Sequence, residues 1–188
     1  LWSPGRRPSM KPFYARFGIK GAVISAVDLV KGIGKYAGFD VLEVPGATGL
    51  STTNYEAKAD ACLAALQTHD LVYVHVEATD EASHDGDLDL KIACIEYFDS
   101  RLLARVLAGI SIEDARIAVV PDHPTPVALR SHTSEPVPFL LVGRDISPDS
   151  VERFDERSCA AGGYGTIARD SFIRLLCESA ASHETKPQ

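Results

Sequence analysis

Three histidines and two aspartates are the residues of this sequence best placed to do chemistry. Asp80 and His84 follow the strand-like run 71–76, Asp122 and His123 follow the run 117–120, and His132 comes soon after. Open α/β sheets place their active sites beyond the carboxyl ends of buried strands. Carboxylate oxygens and imidazole nitrogens together bind divalent metal ions. The grouping predicts a metal-dependent active site.

The spacing within each pair indicates how the donors are shared. Asp80 and His84 lie four residues apart, so they can face the same side of a first helical turn and chelate one ion. The neighbours Asp122 and His123 cannot easily point the same way. Adjacency suits two neighbouring ions, or one ion and the substrate. Taken singly, each residue is also explained as a helix cap or a surface polar group.

Alternating elements must position these donors. Apolar runs predict strands, and helices are predicted between and after them with a stripe of apolar residues on one face. This order predicts an α/β fold, a mostly parallel sheet with helices on both faces. The predicted strands are 22–27, 40–44, 71–76, 117–120 and 139–142. The predicted helices are 28–36, a helix begun by the capping box Thr53-x-x-Glu56, a helix from Leu88 to Gly109, and 166–177.

Apolar faces and two polar residues complete this part of the prediction. In the second helix, Ala59, Cys62, Leu63 and Leu66 share a face. In the long helix, the predicted core stripe is Leu88, Ile92, Ile95, Leu102 and Val106, with Asp99 as its one polar interruption. His75 lies inside a strand, which favours a packed or hydrogen-bonded core histidine over a metal ligand. Lys31 follows the first strand, where a solvated helix lysine and a substrate contact are equally supported.

Composition excludes several classes of function. The chain has 188 residues, 45% of them hydrophobic, which fits one domain. A net charge of -7 argues against a nucleic-acid surface. No apolar run is long enough to span a membrane, and no signal peptide is seen. Four cysteines without C-x-x-C spacing indicate reduced thiols and a cytoplasmic protein. Oligomeric state is not indicated.

The two ends of the sequence differ from the rest. The chain begins with Leu1-Trp2 rather than Met, so we expect a fragment or processed product whose missing beginning carries function. Residues 1–18 are rich in proline and are predicted to be a lead-in segment, and residues 181–188 a disordered tail.

These motifs resemble a known family. Asp80-x-x-x-His84, Asp122-His123 and His132-Thr with Pro136-Val-Pro138 resemble the carboxy-terminal metal motifs of cofactor-independent phosphoglycerate mutases of the alkaline phosphatase superfamily. The runs 20–34 and Val44-Pro-Gly-Ala-Thr-Gly49 are similar to the archaeal-type branch. The resemblance spans nearly the whole chain and implies an alkaline phosphatase-like fold, incomplete because an amino-terminal part is missing.

The resemblance also implies a chemistry. In the family a serine takes the phosphoryl group from one glycerate oxygen and returns it to the other, with two divalent ions, for which Mn or Zn suits these ligands and Mg is compatible. By carry-over, Asp80, His84 and His132 hold one ion, while Asp122 and His123 help to hold the second. Lys31 corresponds to the family's phosphate-contacting lysine. A phosphorylated small molecule is the expected substrate.

Two departures from the family pattern leave alternatives open. The nucleophilic serine and a further metal-binding aspartate have no counterpart here, since Ser25, Ser83 and Ser131 do not match the serine motif. Pro124-Thr125 stands where the bacterial and plant branch has Gly-Asn. Some archaeal-type members resemble homoserine kinases in genomic role. The alternatives are therefore a homoserine kinase-like phosphotransferase, a metal-dependent phosphatase of the same superfamily, or a non-catalytic binding domain.

Overall fold

The computed structural model of the chain describes residues 9–177. Residues 1–8 of the predicted lead-in segment and the predicted tail 181–188 lie outside the described residues. The described chain forms two compact units: residues up to Ala78 together with Cys94–Val106, and Thr79–Ala93 together with the residues from Leu107 onwards. Among the described helices, none has the length and apolar character needed to cross a membrane.

The predicted strands and helices occur in the predicted order, and the structure adds three short helices at Phe13–Phe17, Ala78–Asp85 and Glu156–Cys159. The strands are β1 (Gly21–Ile24), β2 (Asp40–Leu42), β3 (Leu71–Val74), β4 (Ile117–Val119) and β5 (Leu140–Val142). The α-helices are α1 (Phe13–Phe17), α2 (Asp28–Ala37), α3 (Tyr55–Ala65), α4 (Ala78–Asp85), α5 (Leu88–Tyr97), α6 (Ala104–Gly109), α7 (Glu156–Cys159) and α8 (Arg169–Cys177), and a π-helical segment (Phe98–Leu103) separates α5 from α6.

The first unit is built on a parallel sheet with strand order β2-β1-β3. Every residue of the central strand β1 is buried, as a continuous apolar run at the centre of a parallel sheet requires. Helices α2 and α3 pack on the sheet. A Cβ added at Gly34 of α2 would lie 2.5 Å from Cγ1 of Val23, so glycine permits this close approach. The predicted α/β class and mostly parallel sheet are confirmed.

Helix α3 begins one residue later than the capping box predicts. Asn54, and not Thr53, is the N-cap, and its side-chain oxygen accepts a hydrogen bond from the Ala57 amide at 2.9 Å. The Thr53 hydroxyl instead accepts a hydrogen bond from the Thr48 amide at 3.0 Å. The Thr53 hydroxyl, which the capping-box pattern assigned to the helix, therefore stabilises the preceding loop instead. Ala59 and Cys62 are buried as predicted, together with Lys58.

The predicted core stripe of the long helix is correct at two of its five apolar residues. Leu102 and Val106 are buried, but Leu88, Ile92 and Ile95 are exposed. The π-helical segment Phe98–Leu103 explains the difference, because its wider turns shift the angular position of each later residue. Residues before and after the segment therefore do not share one face. Cys94 is the buried residue of α5.

In the second unit, β4 and β5 pair antiparallel, with Ala118 opposite Leu141. Gly143 after β5 is buried, and a Cβ there would lie 2.9 Å from Cγ of Arg116. The Arg116 guanidinium forms an ion pair with Asp145 and donates to the Leu175 carbonyl of α8 at 2.8 Å. These contacts fix the strand from which the loop with Asp122 and His123 departs.

Candidate metal centre

Helix α4 supplies the first two donors, Asp80 and His84. Ala82 and Ser83 on this helix are buried, and the Ser83 hydroxyl donates to the Thr79 carbonyl at 2.8 Å. Asp80 and His84 are one helical turn apart, and Oδ2 of Asp80 lies 3.2 Å from Nε2 of His84. The spacing of these two residues therefore brings one oxygen and one nitrogen donor together.

His132 from the loop after β4 completes a group of three donors. Its Nε2 lies 3.0 Å from Nε2 of His84 and 3.5 Å from Oδ1 of Asp80. A tetrahedral ion with metal–nitrogen distances of about 2.0–2.1 Å separates its ligand atoms by about 3.4 Å. The distances of 3.0–3.5 Å are of this size, although the two histidines lie near different oxygens of the Asp80 carboxylate. Two imidazole lone pairs 3.0 Å apart also repel each other unless a proton or a cation lies between them.

His123 extends this group on one side. Donor atoms of Asp80, His123 and His132 all lie within 4.8 Å of one another. The rings of His123 and His132 have centroids 3.8 Å apart, and Nε2 of His123 lies 3.5 Å from Oδ2 of Asp122. The Asp122 side chain is 61% exposed, so its carboxylate is accessible to an ion or ligand that enters from solvent. All five predicted metal ligands thus lie in one connected cluster of side chains.

The backbone carbonyl of Arg130 orients His84. Nδ1 of His84 lies 3.0 Å from this oxygen, and because a carbonyl can only accept, Nδ1 carries the proton and Nε2 presents its lone pair. The hydrogen bond to Arg130 raises the pKa of His84 above its ordinary value, and the charge of Asp80 adds to the effect. Metal-bound histidines are commonly held in this way.

Three residues around the cluster were not identified from the sequence. Thr125 contacts Asp80 and His123 through its hydroxyl, Arg130 holds His84, and Lys91 donates to the Thr125 carbonyl at 2.9 Å. The only sequence signal was the pair of prolines that flank Thr125, which indicates a rigid turn. The contacts themselves join residues that are far apart in the chain.

Other residues singled out in the sequence lie in the first unit. Lys31 forms an ion pair with Glu43 at 2.9 Å, so its role in substrate binding stays a prediction. His75 is confirmed as a hydrogen-bonded histidine, with Nδ1 3.3 Å from the Ser25 hydroxyl and Nε2 3.4 Å from Glu77. The Ser25 hydroxyl also accepts a hydrogen bond from the Val27 amide at 3.0 Å.

Comparisons with known proteins identify the family of this chain. Residues 1–178 match the family model described as the metalloenzyme superfamily. A 2,3-bisphosphoglycerate-independent phosphoglycerate mutase from Methanothrix thermoacetophila is 51% identical over 178 residues, which are 94% of this chain and 45% of the relative. The chain thus spans less than half the length of this curated relative.

Two solved structures have a similar fold. The PH0037 protein from Pyrococcus horikoshii superimposes with a TM-score of 0.87 at 34% identity, over 94% of this chain and 53% of that one. The cofactor-independent phosphoglycerate mutase from Thermoplasma acidophilum gives a TM-score of 0.68 at 28% identity, over 90% and 39%. The resemblance noted in the sequence is therefore confirmed, and the chain belongs to the metalloenzyme superfamily.

Proposed function

We propose that this chain is the metal-binding carboxy-terminal portion of a cofactor-independent phosphoglycerate mutase, which interconverts 2-phosphoglycerate and 3-phosphoglycerate through a phosphoserine. The observation that carries the proposal is the donor cluster, in which Asp80, His84 and His132 lie at mutual distances of 3.0–3.5 Å. Two relatives that match the chain are 2,3-bisphosphoglycerate-independent phosphoglycerate mutases, which supports this reaction. A phosphorylated small molecule in the cytoplasm is the proposed substrate.

The donor set fits two divalent ions. Asp80, His84 and His132 provide three protein ligands for one ion, the number usual where a position is kept open for chemistry. Asp122 and His123 provide two ligands for the second. Mixed carboxylate and imidazole donors favour Mn or Zn and are compatible with Mg. Bound ions of this kind lower the pKa of a hydroxyl nucleophile and offset the charge of phosphoryl oxygens.

The residues of this chain prepare the site before any ion binds. Arg130 holds His84 so that its Nε2 points towards Oδ2 of Asp80, and His132 meets the same pair from a different loop. Helix α4 and the loop after β4 therefore contribute ligands at fixed distances. Preorganised ligands avoid the cost of ordering long side chains when substrate and ions arrive.

Lys31 is the proposed phosphate contact. Its partner Glu43 is 76% exposed in the side chain, and an exposed ion pair contributes only about 0–1 kcal/mol. A phosphate dianion can therefore displace Glu43 at small cost. In this proposal Lys31 exchanges one acidic partner for another and leaves the sheet undisturbed.

The proposal is tested on the longest reading frame that contains this chain. We expect that protein, supplied with Mn, to convert 3-phosphoglycerate to 2-phosphoglycerate, and we expect Asp122→Asn to lose most of the activity. A His69→Ala variant is the matched control, because His69 pairs with Asp40 in the first unit and holds no proposed ligand position. Phosphorylation of homoserine from ATP, or hydrolysis of phosphate esters without mutase turnover, would contradict the proposal.

A further inference from the structure

Thr125 is held more rigidly than an ordinary loop residue. It is 5% exposed and lies between Pro124 and Pro126, each of which fixes its own backbone φ. The ammonium group of Lys91 donates to the Thr125 carbonyl oxygen at 2.9 Å. The carbonyl of Pro124 accepts a hydrogen bond from the Thr133 amide at 3.1 Å. These constraints aim the Thr125 hydroxyl in one direction, where water has little access.

The Thr125 hydroxyl has two partners, one on each side. Its Oγ1 lies 2.5 Å from Oδ1 of Asp80 and 3.1 Å from Nδ1 of His123. An ionised carboxylate only accepts hydrogen bonds, so the single hydroxyl proton goes to Asp80. Oγ1 must then accept from His123, which places the proton of the imidazole on Nδ1. The free lone pair of His123 is left on Nε2, the nitrogen that faces Asp122.

We propose that Thr125 is a positioning residue that sets the tautomer of His123 and the orientation of the Asp80 carboxylate, and so links the ligands of two metal ions. The assignment of Asp80 to one ion and His123 to the other rests on the proposed function. One hydroxyl then orders a ligand at each ion. Loss of this hydroxyl therefore lowers the affinity for both ions, whereas loss of a single ligand lowers mainly the affinity for the ion that it binds.

The tautomer of His123 is measured without metal or substrate. Long-range proton–nitrogen correlation spectra of the nitrogen-15-labelled chain report which ring nitrogen carries the proton. We expect the Nδ1–H form for His123 in the parent and in Thr125→Ser, which keeps the hydroxyl. Thr125→Val has nearly the same shape and no hydroxyl, so we expect it to shift His123 towards the Nε2–H form.

Metal affinity gives a second readout. Competition between the protein and a chromophoric chelator measures zinc binding at both positions. Loss of a group that holds a metal ligand typically lowers metal affinity 10–100-fold. We therefore expect Thr125→Val to lower the affinity for both ions by about 10-fold or more, and Thr125→Ser to bind zinc like the parent. Thr68→Val is the matched control, because the Thr68 hydroxyl also lies 3.0 Å from a histidine Nδ1, that of His69.

Several outcomes would overturn the inference. One is a parent spectrum with His123 in the Nε2–H form, which needs no variant and so does not depend on Thr125→Val folding. Another is Thr125→Val binding both zinc ions as tightly as the parent, or losing only one. The spectra are independent of the reaction. If the longer protein lacks mutase activity while His123 is Nδ1–H and Thr125→Val shifts it, the proposed function fails and the role of Thr125 stands.

Discussion

Nδ1 of His84 donates a hydrogen bond to the backbone carbonyl of Arg130 at 3.0 Å, and Arg130 adopts a left-handed backbone conformation with a φ of 51°. An arginine at positive φ is uncommon, and such conformations persist where the surrounding structure demands them. The guanidinium of Arg130 lies against Gly86, which itself has a φ of 75°. The pair of left-handed residues therefore places the carbonyl that orients a proposed metal ligand.

This relationship predicts opposite effects for two substitutions. Arg130→Gly keeps the carbonyl and removes the steric cost of positive φ, so we expect unchanged or slightly higher stability. Arg130→Val puts a β-branched side chain in the left-handed region, and we expect a loss of about 1–2 kcal/mol in the free energy of unfolding. Urea titration measures both, and zinc affinity should fall for valine alone. Equal stability of the two variants would show that the backbone conformation is not strained.

Gly86→Ala tests the contact between Gly86 and the Arg130 side chain. An added Cβ would lie 2.3 Å from Nε of Arg130, at a φ that L-residues avoid. We expect destabilisation from both causes, and only the steric part is relieved in the background Arg130→Ala. The difference between Gly86→Ala in the two backgrounds, measured by urea titration, gives the steric contribution. A difference of zero would mean that the arginine side chain moves aside freely.

Lys58 predicts a pH dependence of stability. It is fully buried, its ammonium group donates to the His75 carbonyl at 3.1 Å, and burial lowers its pKa to about 8, opposed by the charge of Glu77. In the unfolded chain an ordinary lysine has a pKa of about 10.4. Between these values the unfolded state binds more protons, so stability rises with pH. Below about pH 8 both states are protonated and the buried charge costs its full amount.

We therefore expect the free energy of unfolding of the parent to rise relative to that of Lys58→Met between about pH 8 and 10.4. The rise is up to about 3 kcal/mol, because each unit of pKa shift corresponds to roughly 1.4 kcal/mol. Hydrogen exchange of the β1 and β3 amides measures the stability of the unit that contains Lys58. Lys35→Met, at an exposed position of α2, is the control and should track the parent. Parallel pH curves for the parent and Lys58→Met would show that the pKa is not lowered.

The strands and helices could be predicted because their causes are local. A continuous apolar run marked the buried strand β1, and a glycine in the left-handed conformation ends α2 at Gly38. The long helix shows the limit of periodicity, since the π-helical segment Phe98–Leu103 changes the face that later residues present. Nothing in the apolar spacing signalled that change. A buried lysine such as Lys58 also contradicts the usual placement of charge.

The donor cluster was partly predictable for a different reason. Spacing alone indicated that Asp80 and His84 share a helix face. The grouping of donors after strands included His132, and the family resemblance assigned it to the same ion. Thr125 could not be found in this way, because its hydrogen bond to Asp80 joins residues 45 positions apart. Such contacts depend on how two loops pack. A threonine between two prolines gives no sign of its partners before the fold is known.

The chain by itself should not catalyse the mutase reaction. The proposed mechanism needs a nucleophilic serine that meets the substrate, and Ser25 and Ser83 are buried, with exposures of 3% and 0%. We expect no conversion of 3-phosphoglycerate above a blank with Mn alone in an assay that couples 2-phosphoglycerate formation to enolase. Turnover that purifies with the chain, and is lost in Ser131→Ala, would reveal a nucleophile here.

Metal occupancy follows from the number of ligands at each position. The proposed assignment gives three donors, Asp80, His84 and His132, to one ion and two donors, Asp122 and His123, to the other. We therefore expect equilibrium dialysis with elemental analysis to find one Mn or Zn ion bound tightly and a second bound weakly. His84→Ala combined with His132→Ala should lose the tight ion, while His69→Ala should keep both. Tight binding by the double variant would refute the ligand assignment.

Equilibrium dialysis at several pH values also tests how metal affinity depends on pH. Protons compete with metal ions for imidazole, and the hydrogen bond to Arg130 raises the pKa of His84, so this competition begins at a higher pH than for an ordinary histidine. As the pH decreases, we therefore expect zinc affinity at the tight position to begin to fall at a pH above the ordinary imidazole pKa of about 6.5. Affinity independent of pH between about 5 and 7 would exclude His84 as a ligand. Two ions bound equally tightly at neutral pH would instead require a third donor beside Asp122 and His123.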